Sequence, residues 1–171
     1  MKTKHKNFTL IELLVVIAII GILAAMLMPA ISHVRKQALK TQAKVEMQSI
    51  ITAVKSYEST YGILPFSGAE TAMISSDYDI MMGVLTNVPS GSNSRSIRFL
   101  DVPNDYTTKG FVDPWDKDYK ILIDTNYGGD VTDPDASESD PLYGTVFIYS
   151  EGPDKLDNDA VDGSDDVASW Q

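Results

Sequence analysis

Residues 8–31 read FTLIELLVVIAIIGILAAMLMPAI, and from Leu13 to Ile31 no charge interrupts them. At the rise of an α-helix those nineteen residues extend about 28 Å, close to the roughly 30 Å of a bilayer's hydrocarbon core. The stretch reads as a membrane-spanning helix. A cleavable secretory signal carries a shorter apolar region, about 7 to 15 residues, and no acid at its start. A plain anchor accounts for the length but not for Glu12, which lies inside FTLIELL. Carried unpaired to mid-bilayer, such a carboxylate costs about 2.5 to 3.5 kcal/mol. Glu12 must therefore find a cationic partner or snorkel to the interface. Cations flank both ends of the span, with Lys2, Lys4 and Lys6 before it and Arg35, Lys36, Lys40 and Lys44 after it. The bias of basic residues consequently does not orient the segment.

Beyond the span, Ala43, Met47, Ile50, Val54, Tyr57 and Tyr61 recur at steps of four and three, with Lys44, Glu46, Gln48, Lys55 and Glu58 between them. This spacing predicts an amphipathic helix continuing the membrane helix, its stripe packed on a sheet rather than lining a cofactor site. Pro29 is expected to kink the long helix, because an interior proline removes a backbone donor and crowds the preceding turn. Gly62 and Pro65 should end it. Residues 66–110 are punctuated by Ser, Gly, Asn and Pro. They read as a long, partly helical loop with short ordered pieces at residues 80–85 and 97–100. Residues 119–123 and 145–149 are β-branched or aromatic runs bounded by turn residues, and they predict two antiparallel strands. Between them GGDVTDPDASESDP, residues 128–141, reads as an exposed acidic loop.

The chain has 171 residues, room for one head domain plus an appendage. Its net charge of −10 conceals an asymmetry: residues 1–60 carry +5, whereas residues 101–171 carry −14. An acidic C-terminal part argues against a nucleic-acid partner and favours a bound cation. Cysteine is absent, which removes disulfides and thiolate chemistry without fixing the redox compartment. The densest acidic run is DKLDNDAVDGSDD, residues 154–166, with six Asp. Hard Ca²⁺ takes six to eight oxygens and suits short loops of alternating Asp with a Gly turn. Asp157, Asp159 and Asp162-Gly163 approach such an opening, while a solvated acidic tail is the other reading. Trp170, just after the run, suggests that the segment folds back onto the head. For catalysis there is little to assemble. His5 precedes the span and His33 follows it, and neither a phosphate-binding loop nor a nucleophile elbow nor a zinc-protease motif occurs. Asp113-Pro114-Trp115 could pair a carboxylate with a sugar-stacking ring, but reads better as a turn that buries Trp115.

The N-terminal segment, residues 8–29, resembles the type IV prepilins and the pseudopilins of type II secretion systems. Further pieces resemble the major pseudopilin: AVKSYESTYGILP at the end of its helix, DPWDKDY before its sheet, and FIYSEGPD with DDVASW at its calcium-binding C-terminus. The resemblance implies an α+β pilin-like fold, in which a long bent N-terminal helix packs on a small antiparallel sheet closed by a calcium loop. It divides the chain into a basic leader (1–7), a transmembrane and filament-core helix (8–31), an amphipathic head helix (32–62), a variable loop region (63–112) and a sheet with an acidic loop (113–171). It implies cleavage by prepilin peptidase between Asn7 and Phe8, with Asn7 standing where glycine is usual, and methylation of the new Phe8 amine. Glu12 would pair with that amine on a neighbouring subunit. It further implies Ca²⁺ held by Asp154 and Asp166, with Asp159 and Asp162 as remaining side-chain ligands. The protein implied is a non-enzymatic, single-pass inner-membrane subunit with its head in the periplasm or otherwise outside the cytoplasm. Its partners would be copies of itself in a helical filament, other pseudopilins, the inner-membrane secretion platform and prepilin peptidase. A type IV pilin or minor pilin is the alternative within the class, and a membrane-tethered binding module or enzyme the alternative outside it.

Overall fold

The structure, a computed structural model, describes residues 9–66, 75–89, 91–102, 111–132, 141–156 and 165–170. Helix α1 runs from Leu10 to Tyr61 and continues through Pro29. The chain divides into two compact units, one ending at Leu39 and the other beginning at Lys40. In the first, the described side chains of residues 9–38 are all exposed. Leu10 is 88% exposed and Met28 76%, so among the described residues of this unit the apolar surface stays uncovered. It is long and apolar enough to cross a membrane.

The second unit holds the core, and its first element is the C-terminal part of α1. Ala43, Met47, Ile50 and Val54 of the expected stripe are fully buried there, joined by Ile51 and Ala53, while Tyr57 packs partly buried at the edge. The helix ends where expected. Gly62, at φ 72°, takes the left-handed conformation that glycine reaches without Cβ strain, and its N–H donates to the Glu58 carbonyl at 2.7 Å. A second helix, α2 (Ser75–Thr86), inserts Tyr78, Met81, Met82 and Leu85 into the same core. It stops at Asn87 (φ 55°), another left-handed cap. Residues 97–100 form no regular element, yet the Phe99 and Leu100 amides both donate to the Leu85 carbonyl. Asn93 closes the loop before them, its Nδ2 donating to the Val84 and Ile97 carbonyls and its Oδ1 accepting from the Ile97 amide.

The sheet is built on β1 (Lys120–Ile123) and β4 (Val146–Ser150), antiparallel with Lys120 opposite Tyr149 and Ile123 opposite Val146. Alternation then divides the side chains between two faces. Ile121, Ile123, Val146 and Ile148 join the helical core, whereas Leu122 and Tyr149 join Val131, Ala168, Phe147 and Trp170 on the other side. With both faces covered, Ile121, Leu122 and Ile123 form a continuous apolar run. Two additions depart from the sequence reading. A two-residue strand, β5 (Val167–Ala168), pairs antiparallel with β4. The acidic stretch expected to be a loop contains strand β2 (Asp130–Thr132) and runs into strand β3 (Pro141–Tyr143), which pair with each other and bury Val131. Its acidic composition conceals the one apolar position that the sheet needs.

Buried polar groups hold the sheet to the helices. Tyr119 donates from its hydroxyl to Glu46 Oε2 of α1 at 2.5 Å. Burial, then this hydrogen bond, push that hydroxyl far above its ordinary pKa, so it remains a donor. The turn expected at Asp113-Pro114-Trp115 is present. Asp113, 3% exposed, accepts the Trp115 and Lys117 amides on Oδ1, each at 2.9 Å, and the Ser150 hydroxyl on Oδ2. Trp115 packs partly buried against the core. Asp113→Ala should therefore leave buried donors unsatisfied and lower stability by about 2–3 kcal/mol. Asp113→Asn, which keeps an acceptor for the two amides, should lose less. Denaturant titration followed by tryptophan fluorescence checks the order.

Candidate functional site

Two places gather the residues that the sequence singles out. At the start of α1, Thr9 is the N-cap and Glu12 the third helical residue. The Thr9 amide and hydroxyl both donate to Glu12 Oε2 at 2.8 Å, and the Glu12 amide donates back to Thr9 Oγ1 at 3.3 Å. This reciprocal capping box satisfies two of the donors that a helix start leaves open, and it sets a carboxylate at the positive end of the helix dipole. The signature was present as Thr-x-x-Glu but was hidden by reading Glu12 only as a charge in an apolar run. Asn7 and Phe8, the expected cleavage and methylation positions, lie outside the described residues.

At the other end of the chain, the pairing of β4 with β5 decides which acids meet. Ser150 lies opposite Val167, so the chain leaving β4 and the chain entering β5 are held side by side. Asp154 on the first arm and Asp165 and Asp166 on the second bring carboxylate oxygens within 4.8 Å of one another. The Asp154 amide also donates to Asp165 Oδ2 at 3.2 Å. Gly152 permits this closeness: a Cβ there would stand 2.5 Å from the Asp165 carbonyl oxygen, and its φ of 68° is left-handed. Beyond Asp166, which is buried, the Ser169 amide donates to the Ile148 carbonyl and Trp170 packs edge-on against Phe147 and Tyr149. The C-terminus thus folds back onto the head, as the position of Trp170 suggests. Of the four acids named from sequence, Asp154 and Asp166 are brought together, while Asp159 and Asp162 lie outside the described residues. Asp165 was not singled out; its adjacency to Asp166 was the available signal. Three convergent carboxylates form a hard oxygen donor set of the kind that divalent cations take.

With this geometry established, comparison with known proteins places the N-terminal segment. Residues 6–28 match the prokaryotic N-terminal methylation motif. This is a type IV pilin-like prepilin motif. The chain is homologous to proteins of two pilin-like kinds. It is 22% identical to the type II secretion system core protein G of Dickeya chrysanthemi over 175 aligned positions, covering 99% of this chain and 89% of that protein. It is 34% identical over 102 positions to the type IV major pilin protein PilE of Neisseria gonorrhoeae, covering 54% of this chain and 61% of that one. A fimbrial protein of Neisseria meningitidis aligns at 33% over 54% of this chain and 60% of its own length. The chain therefore spans about three fifths of the length of these two Neisseria relatives. The pilin-like motif and the Leu10–Tyr61 helix together mark a protein anchored in the membrane by one N-terminal helix.

Proposed function

We propose that this chain is a structural subunit of a type II secretion pseudopilus, cut by prepilin peptidase between Asn7 and Phe8 and assembled through its N-terminal helix into a periplasmic filament that supports protein export. One observation carries the reading: the alignment with protein G runs through 99% of this chain, head included, whereas the PilE alignment stops at 54%. The exposed apolar helix supports it as well, because none of the described residues of its own unit buries that surface and helices of other copies would. Cleavage would create an amine on Phe8, cationic even when methylated, and thereby supply a neighbouring Glu12 with its partner. A buried ion pair adds little net affinity, but breaking one is costly, so the pair sets register.

In the head, Ca²⁺ is the cation proposed for Asp154, Asp165 and Asp166, with Asp159 and Asp162 as further ligands. Two other buried carboxylates hold the local structure. Asp124 accepts the Gly128 and Gly129 amides, and Glu151 pairs with Lys117 and Lys120. A type IV pilin is the second reading, favoured by the higher identity to PilE. Deleting the gene separates the two, since a pseudopilin is needed for export of folded proteins and a pilin for surface fibres. Processing itself is tested by mass spectrometry of the membrane-extracted protein, which should begin at methylated Phe8. An intact Met1 terminus in cells with active prepilin peptidase would refute the reading.

A further inference from the structure

Arg35 and Lys36 have no role in the function proposed so far, and they run against the usual topology bias. Basic residues concentrate on the cytoplasmic side of a span, yet this pair follows the apolar helix on the side of the head. They are also the first Lys or Arg side chains after Phe8, so cleavage there would leave them, with the new Phe8 amine at the other end, as the positive charges flanking the span. Both side chains are exposed on α1, as is the neighbouring His33. Counted from Ile31, the last residue of the uncharged run, they lie four and five residues on, or about 6 and 7.5 Å of helix. The interfacial layer of a bilayer is about 5 to 7.5 Å deep on each side. When the apolar run fills the hydrocarbon core, both cations stand at the level of the lipid phosphates.

We propose that Arg35 and Lys36 form a binding site for the phosphates of anionic phospholipids in the leaflet on the head's side, and that this contact sets how deeply the helix sits before assembly. The inference rests on reading the apolar run as a membrane span. Charge complementarity selects the lipid, because an anionic surface repels a C-terminal part carrying −14 and attracts the basic residues next to the span. A guanidinium can hold a phosphate bidentately and the adjacent ammonium adds a second, mobile charge. The contribution is a factor of roughly five for each Lys or Arg near an anionic membrane surface.

The test incorporates the full chain into equimolar phosphatidylcholine–phosphatidylglycerol vesicles, extracts it in mild detergent and measures the co-retained phospholipids by mass spectrometry. The parent chain should retain phosphatidylglycerol in excess. Arg35→Gln with Lys36→Gln should lower the phosphatidylglycerol to phosphatidylcholine ratio by about five- to thirtyfold, and high salt should erase the difference. Lys40→Gln with Lys44→Gln, an equal loss of charge within the other compact unit, should change the ratio less than about twofold. Equal ratios in the parent and the Arg35/Lys36 variant would overturn the proposal. So would an unchanged ratio accompanied by weaker amine-to-carboxylate crosslinking between copies, which would assign the pair to a neighbour's acidic head. A chain that fails to migrate with vesicles of either lipid would overturn the span itself, a separate result from incorporation without lipid preference.

Discussion

Glu12→Leu should enter the membrane at least as well as the parent chain and fail at ordered assembly. Insertion is not impaired because the change removes a charge at the edge of the apolar run, one that would cost about 2.5 to 3.5 kcal/mol only if carried to mid-bilayer. Assembly fails because each neighbour's Phe8 amine would be buried without its partner, a loss of about 3 to 5 kcal/mol for a broken buried pair. At 1.4 kcal/mol per factor of ten, subunit association weakens by at least about a hundredfold. The capping box adds a second role to separate, since Glu12 also accepts from the Thr9 amide and hydroxyl. Glu12→Gln keeps an acceptor for that cap and removes only the charge. Thr9→Val removes the hydroxyl and keeps the charge, at a cap cost of about 0.5 to 2 kcal/mol. If charge sets register, crosslinked ladders should vanish in Glu12→Leu and Glu12→Gln and persist in Thr9→Val. Ladders that survive in Glu12→Gln and vanish in Thr9→Val would reassign Glu12 to the helix start alone.

Calcium should raise the melting temperature of the head, and the effect should depend on Asp166. Three carboxylates within 4.8 Å of one another repel, and a divalent ion converts that repulsion into attraction. Stabilisation follows RT ln(1 + [L]/Kd), about 2.7 kcal/mol at a concentration of 100 Kd. Extracellular modules commonly have Kd of about 10⁻⁴ to 10⁻³ M, so millimolar Ca²⁺ is the range to use. For a head of this size the gain corresponds to a shift on the order of 10 °C. Both tryptophans, Trp115 and Trp170, belong to the unit beginning at Lys40, so their fluorescence follows the head even when the full chain is held in micelles. Mg²⁺ should substitute poorly because it demands a tighter octahedron. Asp154→Ala and Asp166→Ala should abolish the shift, and Asp159→Ala and Asp162→Ala should reduce it if those residues complete the shell. Identical melting with Ca²⁺ and with chelator would leave residues 154–166 as a solvated acidic run.

What the sequence determined by itself was whatever depends on near neighbours along the chain. The uncharged run of residues 13–31 declares a span through length alone. The stripe Ala43, Met47, Ile50 and Val54 declares a buried helical face because helix geometry brings residues three and four apart onto one side; all four are buried. Gly62 ends the helix through its own backbone freedom. The strands at residues 120–123 and 146–150 were legible from their β-branched and aromatic content, and their pairing followed as the simplest use of two such runs. Tertiary structure alone decided the rest. A two-residue strand such as Val167–Ala168 has no periodicity to read and exists only because the edge of β4 offers it hydrogen bonds. Strands β2 and β3 stand on either side of the acidic residues 133–140, and only the apolar face of the sheet reveals why Val131 is there. Asp154 and Asp165 meet across eleven positions because Ser150 pairs with Val167 and Gly152 has no Cβ. Tyr119 reaches Glu46 across 73 positions. Such contacts depend on closing long loops around a shared core, and no local pattern of residues encodes which loop will close.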